Sequence, residues 1–250
     1  NQVIKIKPFL AEPYFYRAVA KINLEDYNGA IEDATMAIDR NPFIVDAYHV
    51  RAVARQNLKR YQGAVEDYEE GLKLNPEEKS FILNRAVCLT ELKQFEEADS
   101  AFQQMLRIDP KNQNVYQGLA QLNLFRQDTV NALANIDKSI EMGSKNPSAY
   151  FVKADILMRS KDYEKALSAI DAGIELDPRS SGMFINRAYI KYNLDDYFGA
   201  MADYDYAIGL DPSSIEAHYN RALLLTEVGD NNKAIDDFSY VLKKQSDNFF

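Results

Sequence analysis

The sequence predicts an all-α fold, an α-solenoid of antiparallel helix pairs, and three observations carry that prediction. Ala30, Ala64, Ala98, Ala132, Ala166, Ala200 and Ala234 stand 34 residues apart without a gap. Ala18, Ala52, Ala86, Ala120, Ala154, Ala188 and Ala222 form a second unbroken series with the same period. No stretch alternates apolar and polar residues with period two, so strands are not indicated. A unit that recurs at this spacing is too short to bury a core alone and must stack on its neighbours.

Each unit reads as two helices and a stop. Tyr14, Ala18 and Ile22 form the apolar stripe of a first helix, and Ala30, Ile31, Ala34, Ala37 and Ile38 that of a second. The break between them, Leu24 to Tyr27, is mostly polar. Pro42, Pro76, Pro110, Pro178 and Pro212 end the second helices, because proline excludes the residue before it from helical geometry. Ser213 with Glu216 predicts a capping box at one restart. The alanines have a steric reason. Where two helices cross closely a larger side chain would overpack, at about 1–3 kcal/mol per site. An aromatic recurs near the turn (Tyr27, Tyr61, Phe95, Tyr163, Tyr197), where the gap is wider, with Thr129 and Asn231 as exceptions.

A 34-residue period with alanines and aromatics at these offsets resembles the tetratricopeptide repeat. The resemblance spans nearly the whole chain. It implies a right-handed superhelix of seven repeats over 11–246, divided as 11–44, 45–78, 79–112, 113–146, 147–180, 181–214 and 215–246. The fourth repeat departs most, with Thr129 for the aromatic and Ser144 for the proline; Pro147 follows at the start of the next helix, where it is tolerated. Val3 to Pro8 match Ile174 to Pro178, and Pro8 lies 34 residues before Pro42. Residues 1–10 are therefore expected to be the tail of a preceding repeat, and 247–250 the start of a following segment. Ile235, Phe238, Val241 and Leu242 are placed to pack against a further helix, either of a longer array or of a second copy.

Composition narrows function. Against 29 Lys and Arg stand 38 Asp and Glu, a net charge of −9, which argues against a nucleic-acid partner. No apolar run is long enough to span a membrane. Cys88 is the only cysteine, so no internal disulfide forms, and its place between Ala86 and Leu89 reads as core. His49 and His218 are the only histidines; His218 takes the slot held elsewhere by Tyr14, Tyr48, Tyr116 and Tyr150 and reads as packing. No zinc spacing, phosphate loop or nucleophile–base set is visible, so no metal, cofactor or catalysis is expected. The compartment is left open.

The resemblance implies that first helices line a concave face where peptides bind. By position this selects Phe15, Val19, His49, Val53, Asn84, Val87, Gln121 and Phe125, then Phe151, Asp155, Asn186, Tyr189, Tyr192, Tyr219 and Asn220, with Ile185 beside them. Aromatic anchors among amides suit an extended or helical peptide. A protein or peptide partner follows, with packing through the convex face or the repeat ends as the alternative. Some members of the family clamp chaperone C-terminal carboxylates between lysine, arginine and asparagine. Asn84, Asn186 and Asn220 match the central asparagine, but the flanking cation positions hold His49, Val53, Asn114 and Gly118, or Phe151, Asp155 and Glu216, so that ligand class is rejected. Arg17, Arg51, Arg85, Arg187 and Arg221 recur, with Lys153 in the fifth repeat. Asp33, Asp67, Asp203 and Asp237 recur one helix later, so structural pairing is expected, with Arg85 reaching back to Asp67.

Overall fold

The structure is a computed structural model that describes residues 2–247. Asn1 and residues 248–250, which belong to the expected terminal segments, lie outside the described residues. Among the described residues all regular elements are α-helices. The short α1 (Gln2–Ile6) precedes three pairs: α2 (Glu12–Asn23) with α3 (Tyr27–Arg40), α4 (Val45–Asn57) with α5 (Tyr61–Leu74), and α6 (Lys79–Glu91) with α7 (Phe95–Ile108). Next come α8 (Gln113–Phe125) and α9 (Thr129–Glu141). Three further pairs follow: α10 (Pro147–Arg159) with α11 (Tyr163–Leu176), α12 (Ser181–Asn193) with α13 (Tyr197–Leu210), and α14 (Ile215–Glu227) with α15 (Asn231–Asp247). The chain divides into two compact units, Asn1–Asp128 and Thr129–Phe250, and the division falls inside the fourth 34-residue period.

The turns inside the periods share one construction. In the first, Lys21 O accepts from Asp26 N at 2.9 Å and Ile22 O from Glu25 N at 3.0 Å, the paired bonds of a Schellman turn. The residue between must be left-handed. Glu25, Lys59, Lys93, Gln127, Lys161 and Asp195 all have φ of 57–61°, and Gly229 takes the seventh place at 85°. An L-residue held there costs about 1–2 kcal/mol, so six repetitions mean that packing imposes the turn. The next residue caps the second helix: Asp26, Asp162 and Asp196 accept from the backbone N–H groups of Gly29, Lys165 and Gly199.

Second helices end in extended residues such as Asn41 (φ −145°), directly before proline. The fourth period differs: Gly143 at φ 87° follows α9, and Pro147 becomes the first residue of α10 under the cap of Asn146. Ser214, not Ser213, caps α14 by accepting from Ala217 N at 3.2 Å. The helix begins one residue later than the expected box requires, and the Ser213 hydroxyl donates to Asp211 instead.

Thirteen of the fourteen repeating alanines have no exposed surface and Ala234 has 3 %. Ala154 and Ala166 share one core cluster of the second unit, and Ala188 and Ala200 another. Inside the first unit the first helices approach one another, α2 to α4 and α6 to α8. Inside the second, α10 approaches α12 and α12 approaches α14. Among the described residues no two second helices come as close. Each unit is thus tighter on its first-helix side, which is its concave side.

Gly71 of α5 shows how little room the packing leaves: a methyl there would stand 1.8 Å from a ring carbon of the buried Phe81. Gly209 of α13 has nothing within 4 Å of the same position. Gly71→Ala should therefore lower stability by about 1–3 kcal/mol through overpacking, more than the roughly 0.5–1 kcal/mol that alanine gains over glycine in a helix. Gly209→Ala should keep that gain. Urea midpoints of the two variants are expected to move in opposite directions.

Candidate functional site

The recurrent cations are structural bridges. In the first unit Arg17 Nε donates to Asp33 at 2.7 Å, with Lys21 at 2.9 Å, while Arg51 and Arg55 hold Asp67 at 2.7 and 2.8 Å. In the second, Arg187 and Lys191 both hold Asp203 at about 2.8 Å, and Arg221 holds Asp237 at 2.7 Å. The same cations also reach the preceding second helix: Arg187 to Asp171 at 2.9 Å, Arg221 to Asp205 at 2.7 Å, and Lys153 to Asp137 at 2.7 Å. Arg187 and Arg221 therefore each join two successive second helices. Arg85 corrects the expectation. It meets Glu69 at 3.9 Å and not Asp67, whose oxygens are already taken by Arg51 and Arg55. With carboxylates at hand along the series, the arginines do not form a free-anion site.

Electrostatics separates the two buried carboxylates of the first unit. Burial pushes Asp33 up, but hydrogen bonds from Arg17 and Lys21 outweigh it and hold the carboxyl below its ordinary value. At the more deeply enclosed Asp67 burial wins over both arginines, and the carboxyl is raised. His218, expected only to pack, is also bonded: its Nδ1 lies 2.6 Å from Asp237, and its ring meets Tyr240 at a tilt, 4.2 Å between centroids. Cys88 is fully buried, and burial, aided by Glu91, pushes its thiol up to about 12, where it is unreactive.

On the first-helix face of the first unit, Val53, Asn84 and Val87 come together around an open hollow of about 550 Å³. Gln56, Tyr61 and Glu91 join them. His49 is half-buried, stacked 5.3 Å from Phe81, and its Nε2 has no hydrogen-bond partner. Phe15 is half-buried against the core around Tyr14 and Tyr48. Phe125 stacks on Phe95 at 6.4 Å; Val19 and Gln121 are half-buried.

In the second unit Tyr189 and Tyr219 are the open members, 44 % and 46 % exposed. Tyr192 is half-buried and donates its hydroxyl to Glu227 of α14. Its ring lies 5.6 Å from Tyr197, and Tyr163 interacts with Tyr189. The bond to Glu227 and then burial raise the Tyr192 phenol; burial, then Glu227 and Asp195, raise Tyr197. Two tyrosines thus flank the Glu227 carboxylate, and Tyr189, with Tyr163 against it, stands beside them. Asp155 is paired with Arg159 at 2.9 Å, while Phe151 packs on the core, and Asn186 and Asn220 are half-buried. Ile185 does not line the face: at 5 % exposure it belongs to the core of α12 and α13. Register overlooked Tyr61, Tyr163, Tyr197 and Glu227. Their signal was the recurrent turn aromatic, which packs with one edge and faces outward with the other.

Among the described residues no helix is long and apolar enough to cross a membrane, and no group of His, Cys, Asp and Glu could hold a metal ion. The tetratricopeptide-repeat family matches residues 58–122 and again residues 147–180. No curated protein matches the sequence. Solved structures match in fold. A tetratricopeptide repeat protein from Parabacteroides merdae superposes with a TM-score of 0.69 at 19 % identity, over 93 % of this chain and 92 % of that one. The structure of the APC/C hetero-tetramer Cut9–Hcn1 gives 0.75 at 13 %, over 96 % of this chain and 48 % of that one. YrrB, described as a tetratricopeptide repeat protein with an unusual peptide-binding site, gives 0.52 at 21 %, over 74 % and 95 %.

The bridging carboxylates give a test that separates packing from binding. Arg17 is one-third exposed, so removing its buried partner by Asp33→Asn should cost about 2–3 kcal/mol at pH 7, the low end for a broken buried pair. A depressed carboxyl stabilises above its unfolded value and loses that contribution as pH falls. The gap between wild type and Asp33→Asn should therefore close below about pH 4. Asp67 has the opposite shift, so Asp67→Asn should cost less than Asp33→Asn at pH 7. Denaturant titrations at pH 7 and pH 3 compare them.

Proposed function

This chain is a tetratricopeptide-repeat protein, and we propose that it is a non-catalytic scaffold that holds a peptide or protein segment on its first-helix face. The fold supports protein-interaction scaffolds in general, and its family is typically non-catalytic. The observation that carries the reading is the tyrosine cluster of the second unit. Tyr163, Tyr189, Tyr192 and Tyr197 form a connected series, Tyr192 and Tyr197 reach Glu227, and Tyr189 is left open. Folding gains little from an aromatic left that exposed, whereas a partner segment would bury it. Tyrosine gives large contact area and a polar handle at low entropic cost, which is why it is common in binding hot spots. The hollow around Val53, Asn84 and Val87 offers the first unit a similar mixture of apolar walls and amides.

A second reading, assembly with another copy, rests on α15, where Ile235 and Leu242 are 62 % and 66 % exposed on one helix. Light scattering across a concentration series distinguishes it, because a scaffold for a foreign segment stays monomeric.

For the leading reading, a partner recovered by cross-linking and identified is titrated against Tyr189→Ala/Tyr192→Ala. Both side chains are at least partly open, so the helices should persist by circular dichroism. Affinity should fall at least about tenfold, the effect of losing one or two hot-spot aromatics. Unchanged affinity in a folded double variant would remove the first-helix face as the binding surface.

A further inference from the structure

The second unit carries another concavity, on its opposite side. Between α13, α14 and α15 lies a cavity of about 830 Å³. Its apolar part is Tyr197, Phe198, Met201, Leu225 and Val228. Leu225 is buried at the base, while Phe198 stands at the rim 92 % exposed, the most open large apolar side chain among the described residues. The corresponding positions of the other six repeats hold Asn28, Gln62, Glu96, Val130, Glu164 and Asn232, none of them aromatic, so packing does not ask for an aromatic here.

The polar part of the wall is acidic. Asp205, Asp230, Asp236 and Asp237 face two cations, Arg221 and Lys233. Arg221 is committed to Asp237 and Asp205, and Lys233 to Asp230 at 2.8 Å. Asp236 is exposed and forms no ion pair among the described residues. The neighbouring gap between α9, α10 and α11 has the reverse balance. Lys153 and Lys165 face Asp137 alone around about 510 Å³. An acidic wall is therefore not shared by the gap between α9, α10 and α11.

We propose that this convex cavity is a second binding site, for a polypeptide segment that presents one apolar side chain flanked by lysine or arginine. The apolar side chain would enter between Phe198, Met201 and Val228, removing exposed apolar surface from water. The flanking cations would meet Asp236 and the outer oxygens of the paired aspartates, where an excess of negative charge speeds and orients encounter. The site does not depend on the first-helix reading, because it opens between the second helices α13 and α15, with α14 behind them, and shares only the Tyr197 ring with the tyrosine cluster.

The probe is a fluorescein-labelled heptapeptide, Gly-Lys-Lys-Leu-Lys-Lys-Gly, followed by anisotropy at low salt, beside a control with glutamate for each lysine. The lysine peptide should saturate the chain and the glutamate peptide should not. Phe198→Ala and Asp236→Lys, both at exposed positions, should each weaken binding about tenfold, while Tyr189→Ala/Tyr192→Ala leaves it unchanged. The proposal is overturned if the wild-type chain does not bind the lysine peptide, or if both convex variants bind as wild type. It is equally overturned if the tyrosine variant alone loses binding, which puts the peptide on the first-helix face. A dimer abolished by Phe198→Ala would make a second copy the occupant and would also overturn it.

Discussion

A contact between two helices with nothing larger than a methyl between them is the constraint on which the rest of this chain depends. It fixes the distance within each pair, and it recurs at Ala18 and Ala30, Ala154 and Ala166, Ala188 and Ala200. Paired helices held that tightly must be joined by a short turn. The Schellman closure with a left-handed residue is the local answer, even where the residue is Lys59 or Asp195 and the backbone conformation is costly. Larger residues at the alanine positions would relax the turn and lose the pair.

The same contact accounts for the ionic bridges. Within each unit the first helices converge, so the second helices are left further apart, with gaps such as the one between α13 and α15. Apolar side chains cannot span such a gap without exposing themselves. A long cation can: Arg187 reaches forward to Asp203 and back to Asp171, and Arg221 does the same with Asp237 and Asp205. The forward carboxylate is buried and the backward one largely exposed, so the two halves of each bridge differ in worth. The exposed half adds about 0–1 kcal/mol, and the buried half is costly mainly if broken. The bridges thus set spacing more than they add stability.

The sequence made the fold legible because close packing is strict. Only alanine satisfies the crossing, so a single residue type repeated and the period could be read. The pairing of Arg17, Arg187 and Arg221 with aspartates one helix later was legible for the same reason. Arg85 was not, since its partner depends on Asp67 being already occupied, a competition that spacing alone does not express. The turn geometry was hidden too: six polar residues of four kinds occupy the left-handed place, and only Gly229 betrays it. The site residues were the least legible. Register put Ile185 and Tyr189 on one face, yet the former is core and the latter open, because the face seen by a partner is narrower than the face that is not alanine.

That difference decides where function can reside in such a chain. Positions bound by the crossing do not vary between the repeats, and cations and carboxylates are committed wherever a bridge forms. What remains are the rims of each gap, where a side chain meets neither constraint. Tyr189 on one side of the second unit and Phe198 on the other are of this kind, and each is an aromatic where folding would accept a polar residue. An exposed ring adds nothing to the stability of the isolated chain and enlarges the apolar surface facing water. A partner covering either ring, as proposed for both faces, would take that surface out of water. Acidic residues accompany both, Glu227 through the bond from the adjoining Tyr192 and Asp236 in the wall that Phe198 borders, so a segment covering either ring would be favoured by cations around its apolar anchor.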